Sequence, residues 1–309
     1  MAKALRLLAA CALFSQTLAH SRILYLVING QQYKGFNPHA PNAITNSIGW
    51  STSADDDGFV PPSNYSNLDI ICHRDGQPAK AHAPVKAGDK IQVQWNGWPQ
   101  SHKGPVLSYL APCANTTDGC ASVDKSKLSW TKIDDSSPVL LDEKGGPPGR
   151  WATDVLIAQN HTWLLGLPSD LEPGPYVLRH ELIALHYANV KDGAQNYPQC
   201  VNLWVEAPGS KAATVGNEKV VIAGQKEGLP ATALYKSTDP GVVIDIWTAL
   251  STYVIPGPTV APEAKPVPVT DQRSKSAITA EGTPVVVTRA TATVPLPNSK
   301  TATATAFNA

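Results

Sequence analysis

The sequence predicts an all-β protein, an antiparallel β-sandwich of the immunoglobulin-like or fibronectin-like kind with long loops and a few short helical turns. Three observations predict it. Apolar and polar residues alternate in short runs, clusters of Pro, Gly, Asn and Asp separate those runs, and no extended 3.6-residue apolar period occurs after the first nineteen residues. Successive side chains of a strand face opposite ways, so a run that is apolar at every second residue can bury one face and leave the other polar.

Six strands follow in order. Residues 24–28 form a short apolar run, and residues 90–95 place Ile91, Val93 and Trp95 on one face, opened by the Ala87-Gly88-Asp89 turn. Residues 106–110 and 163–167 are short apolar segments of strand length. Residues 176–185 follow the turn-rich Glu172-Pro173-Gly174-Pro175 run, and residues 201–205 close the series. Residues 238–250 contain the best candidate for a helical turn, because Asp239-Pro240 offers a cap and then a proline that needs no partner for its nitrogen.

Residues 1–19 carry the three parts of a secretory leader: Lys3 and Arg6, an apolar run over 7–14, and Thr17-Leu18-Ala19 as a small-residue cleavage site. Cutting after Ala19 makes His20 the first residue of the secreted chain. Residues 20–262 then form the β domain. From Glu263 the composition shifts to Thr, Ala, Pro and Val, with Phe307 as the sole aromatic, and residues 263–309 are expected to be a disordered tail without a binding module.

Lys plus Arg and Asp plus Glu both number 25, so the formal charge is zero. With no basic stripe, a phosphate backbone or an anionic bilayer finds nothing to grip, and after the leader no apolar run approaches the roughly 20 residues that cross a membrane. Neither nucleic acid nor membrane is expected as a partner, and the chain is expected to act as a monomer.

Cys11 leaves with the leader, so Cys72, Cys113, Cys120 and Cys200 remain for an oxidising compartment. Four cysteines allow three pairings. The short interval from Cys113 to Cys120 suits a loop staple and leaves Cys72 with Cys200 as a long-range tie, while a four-cysteine zinc site is disfavoured by compartment and by the lack of a C-x-x-C pair. Asn64, Asn115 and Asn160 head N-glycosylation sequons.

A histidine with a free amine offers two nitrogens from one residue, and an α-amino group with a pKa of about 8 gives up its proton to a metal far more readily than a lysine. Copper(II) favours such nitrogen-rich tetragonal sites. The local phrases point the same way. SHKGPV at 101–106, GPYVLRHELIALH at 174–186, GAQNYPQC at 193–200, DIICH at 69–73, YLAPC at 109–113, TDPG at 238–241 and STYVIPGP at 251–258 closely resemble the fungal copper-dependent lytic polysaccharide monooxygenases of auxiliary-activity family nine. The resemblance runs from His20 to about Pro262.

It implies a histidine brace for one copper ion, with His20 binding through its amine and Nδ1, His102 through Nε2, and the Tyr197 hydroxyl at a distant axial position. Gln195 and His186 are implied to hydrogen-bond the oxygen species and to supply or orient a proton. Tyr253 is implied to stack on sugar rings at a flat face. The implied reaction is oxidation of C1 or C4 in a β-1,4-glucan, cellulose or a related hemicellulose, with O2 or H2O2 and an external electron donor. Two departures stand out: the stretch between Tyr33 and Trp50 lacks a further tyrosine, and Ser21 replaces the glycine that usually follows the first histidine.

Two other classes compete. A glycoside hydrolase needs a pair of acids at the scissile bond, and neither Asp55-Asp56-Asp57 nor Asp134-Asp135 is marked by its surroundings as more than a solvated loop. A non-catalytic copper or glycan binder on the same scaffold would bind metal and yield no oxidised product.

Overall fold

The computed structural model describes residues 21–41, 47–113, 118–142, 146–207, 228–273 and 277–286. In chain order its strands are β1 (Ile23–Ile28), β2 (Gln31–Lys34), β3 (Ala81–Val85), β4 (Lys90–Trp95), β5 (Val106–Pro112), β6 (Thr131–Asp134), β7 (Leu140–Asp142), β8 (Arg150–Trp151), β9 (Thr162–Gly166), β10 (Gly174–Ala184), β11 (Gln195–Val205), β12 (Ala280–Glu281) and β13 (Val285–Val286). One sheet runs β12-β2-β1-β4-β9 and the other β13-β3-β11-β10-β5-β6, with β7 and β8 as a separate ribbon. The sandwich and all six expected strands are present: β4 has the expected ends, β11 begins well before the expected residue 201, at Gln195, and the others shift by a residue or two.

Pairing is antiparallel through the body of both sheets, and two short parallel pairs, β3 with β11 and β2 with β12, depart from the expected pattern. The first hairpin turns on Asn29-Gly30, both at positive φ (50° and 81°), a conformation whose twist suits two antiparallel strands. Between the sheets lie Leu26, Ile91, Val93, Trp95, Trp163, Leu165, Leu110 and Leu178, all within one core cluster. A disulfide joins Cys72 to Cys200 and another joins Cys113 to Cys120, the pairing expected from the intervals.

One expectation is met and another needs correction. The helical turn expected within residues 238–250 is present and goes no further: the N–H groups of Val242 and Val243 both reach Asp239 O, and then Ile244 N–H is taken by Ala188 O, which draws the chain away from a helical path. The short helices lie elsewhere, at α1 (Asp69–Cys72) and α2 (Ala152–Ala158), the latter opened by Asp154, whose carboxylate accepts the Trp151 N–H at 2.8 Å. The expectation of a structureless segment from Glu263 does not hold for the described residues 263–273 and 277–286. Val267 and Val269 are buried, and the Gln272 side chain brackets Leu164 on the edge strand β9, its Oε1 accepting Leu164 N–H at 2.7 Å and its Nε2 donating to Leu164 O at 2.9 Å. A segment with β-branched residues can lie along open sheet edges and cover their unpaired backbone groups, which composition alone does not reveal.

Candidate active site

Four pieces of chain meet at one end of the sandwich: the loop after β4, the ends of β10 and β11, and the segment leading into β1. In the loop after β4, His102 N–H donates to Pro99 O at 3.0 Å, and the Trp98 indole N–H donates to His102 O at 2.7 Å, which fixes the turn that carries the imidazole. Gly104 then lets the backbone run hard against β10, where a β-carbon would lie 1.9 Å from Ile183 O. Leu185 N–H donates to Lys103 O at 2.8 Å and ties the end of β10, with His186 just beyond it, to the same turn.

The β10–β11 register sets Leu182 opposite Tyr197 and Ala184 opposite Gln195. Residues two apart on a strand share a face, so Gln195 and Tyr197 project together, and the Tyr197 hydroxyl donates to Gln195 Oε1 at 2.9 Å. The His102 and His186 rings stack with centroids 3.9 Å apart and planes 26° apart. Trp98 presents its ring edge-on both to His102, at 5.6 Å, and to Tyr197, at 5.0 Å. The structure therefore brings His102, His186, Gln195 and Tyr197 together, although up to 95 residues separate them in sequence.

Burial sets the protonation states. His102 is 5 % exposed and Tyr197 fully covered. Desolvation raises the Tyr197 phenol above its usual value and lowers His186, so the phenol keeps its proton and the imidazole stays neutral around pH 7. His186 Nδ1 is buried without a partner, and an orphaned nitrogen of this kind remains available to a bound species.

His20 lies outside the described residues, but the residue after it does not. Ser21 is buried, its N–H donates to Asp57 O at 3.1 Å, and its hydroxyl shares its single proton between Asn96 Oδ1, at 2.8 Å, and Gly97 O. Asn96 and Gly97 begin the loop that ends at His102, so Ser21 is fastened to the stretch of backbone that bears this histidine.

His180 is buried within β10, with its Nδ1 at 2.9 Å from Ser108 Oγ, and its pKa is driven down to about 3 by desolvation, the behaviour of a structural histidine. Tyr253 is half-buried, edge-on to Trp151 at 5.1 Å, with its hydroxyl donating to Gly241 O at 2.8 Å. Asn64 ends a short 3-10 turn and Asn160 is exposed at a turn, while Asn115 lies outside the described residues. Two aromatics beside His186 escape the sequence reading. Tyr187 is 61 % exposed with its ring 4.6 Å from that of His186, and Trp247, 50 % exposed, donates its indole N–H to His186 O at 2.9 Å. Adjacency to His186 could have flagged Tyr187; nothing local flags Trp247.

A family model, Auxiliary Activity family 9 (formerly GH61), matches residues 20–253. The chain is 43 % identical to AA9 family lytic polysaccharide monooxygenase G of Emericella nidulans, over 91 % of its own length and 97 % of the relative's. It is 45 % identical to AA9 family lytic polysaccharide monooxygenase A of Talaromyces verruculosus, over 84 % and 74 %. Among solved structures, the extended catalytic domain of H. jecorina LPMO9A superposes with a TM-score of 0.72 at 44 % identity, covering 85 % of this chain and 98 % of that one. A cellulose-active polysaccharide monooxygenase from M. thermophila superposes with a TM-score of 0.62 at 29 % identity, covering 78 % and 99 %.

Proposed function

The chain belongs to auxiliary activity family 9 and is a lytic polysaccharide monooxygenase, an oxidoreductase; from that premise we propose that it is a secreted, monomeric copper enzyme that oxidises C1 or C4 of cellulose, and of related β-1,4-glucans, using O2 or H2O2 and an external electron donor. Cellulose as substrate is supported by the cellulose-active relative from M. thermophila.

Copper would be held by the amine and imidazole of His20, by His102 and by the Tyr197 hydroxyl. The residues present fit a copper ion in their donor chemistry: a covered imidazole, a phenol and a neighbouring orphaned nitrogen lie in one place, and the chain start is fastened to the same loop. When bound, copper supplies one-electron chemistry on oxygen species. The protein's residues do the rest. The Trp98 ring and the Gln195 hydrogen bond hold the Tyr197 hydroxyl in one orientation, and His186, neutral and with Nδ1 unengaged, can accept or deliver a proton beside His102. Tyr253, with Trp247 and Tyr187, offers apolar ring surface for pyranose faces.

The observation that carries this reading is the convergence of His102, Tyr197, Gln195 and His186 around Trp98. The acids that a hydrolase reading singled out are otherwise occupied, because Asp56 and Asp57 are engaged by Arg74 and Arg22, and Asp134 is buried beneath the Trp163 indole N–H. Product analysis tests the proposal: aldonic acids or 4-ketosugars should form from cellulose only with copper and a reductant, whereas soluble reducing ends released in the presence of a chelator would overturn it.

A further inference from the structure

We infer that Ser21 and Asn96 are positioning residues that set the distance between the terminal residue of the secreted chain and the turn bearing His102; this rests on the proposed copper site. Asn96 sits at the first position after β4 and makes four bonds to its surroundings. Its Oδ1 accepts from the Ser21 hydroxyl at 2.8 Å and from Arg22 N–H at 2.9 Å, its backbone N–H donates to Arg22 O at 3.1 Å, and its Nδ2 donates to Asp57 Oδ2 at 3.4 Å. The Arg22 N–H on one side and the Asp57 carboxylate on the other leave the amide only one orientation that satisfies both.

Asp57 completes the fastening from the other direction. Its backbone O accepts Ser21 N–H at 3.1 Å, and its carboxylate is paired with the Arg22 guanidinium. Residues 21 and 22 are therefore held on both sides, by Asn96 and by Asp57, immediately before the free end. From Asn96 the constraint continues through Gly97, whose O shares the Ser21 hydroxyl proton with Asn96 Oδ1, to Trp98, whose indole N–H holds His102 O at 2.7 Å and whose ring faces both His102 and Tyr197. One short stretch, 96–102, thus carries the anchor for the chain start at one end and the second imidazole at the other. A site made from two separate parts of a chain keeps its geometry only if something spans them, and shifts of about 1 Å at such supports are felt at a metal. Here the span is Ser21 to Asn96, and the serine hydroxyl is an addition that a glycine at the same position would not provide.

The test uses the secreted full chain, loaded with copper and compared with Ser21→Ala and Asn96→Ala. Ser21→Ala removes only a hydroxyl and cannot prevent folding on steric grounds, so it keeps the test open if Asn96→Ala does not fold. The readouts are the Cu(II) electron paramagnetic resonance spectrum and the copper dissociation constant, with metal-free melting as a control for the fold. The expected result is a changed copper hyperfine coupling in both variants, with affinity weakened about threefold for Ser21→Ala and about tenfold for Asn96→Ala. Spectra and affinities identical to the parent in both variants would overturn the inference while leaving the copper reading intact. A parent protein whose own spectrum lacks nitrogen coupling would overturn the copper reading, and this inference with it.

Discussion

The Tyr197 hydroxyl points its proton at Gln195 Oε1, 2.9 Å away, across a two-residue step on β11. The same phenol ring is gripped edge-on by Trp98. The bond fixes where the oxygen's lone pairs can point, and burial keeps the proton on the oxygen at neutral pH.

Replacing Tyr197 with Phe removes that oxygen and little else. The fold should lose only about 0.5–1.5 kcal/mol, the worth of one ordinary hydrogen bond. Oxidised product should form severalfold more slowly while adsorption to cellulose stays as in the parent. A quantified time course of oxidised sugars checks this, and an unchanged rate would remove Tyr197 from its proposed role at the copper.

Trp247 is anchored through its indole N–H to His186 O yet leaves half its surface open, and the Tyr187 ring lies 4.6 Å from that of the same histidine. Trp247→Ala should weaken adsorption to cellulose about threefold to tenfold, the scale of one lost ring-stacking contact. Adsorption isotherms on crystalline cellulose measure it, and copper affinity should not change.

His180 gives the fold a pH dependence. Its folded pKa, about 3, lies below the unfolded value near 6.5, so between those values the unfolded chain binds the extra proton. Stability is then fully present above pH 6.5 and falls as the pH drops toward 3, by on the order of 3 kcal/mol at pH 4 from this residue. His73 and His82, each lowered to about 4 by burial, act in the same direction. Melting temperatures between pH 7 and pH 4 should decline, and His180→Asn, which cannot titrate, should flatten the decline.

Gln272 imitates a strand with its side chain. Gln272→Ala leaves the buried N–H and O of Leu164 without those partners and should cost about 1–3 kcal/mol. Chemical denaturation of the variant checks it, and activity per folded molecule should be unchanged because Leu164 lies on β9, away from His102.

The parts of the fold legible in the sequence were those with strong local patterning. The alternation of Ile91, Val93 and Trp95 gives β4 to the residue, and the cysteine intervals give both disulfides. The sequence left open whatever depends on long-range pairing. The Thr- and Val-rich segment after Glu263 has too little apolar character to predict order, and its order comes from edges that β2, β3 and β9 present only once the sandwich exists. Residues 238–250 show the same competition, where the turn opened at Asp239 forms and Ala188 O then captures Ile244 N–H and ends it. At the site, His102, Tyr197, Gln195 and His186 were legible because their motifs are distinctive. Trp247 was not, since only folding brings it to His186.

A terminal amine at His20 acting together with His102 is the central claim, and copper titration of two versions of the chain tests it most directly. One version begins at His20, and the other carries a single alanine before it. The first should bind one copper tightly and the second at least about a hundredfold more weakly, because the added peptide bond converts the amine into an amide. Equal affinity in the two would contradict the claim.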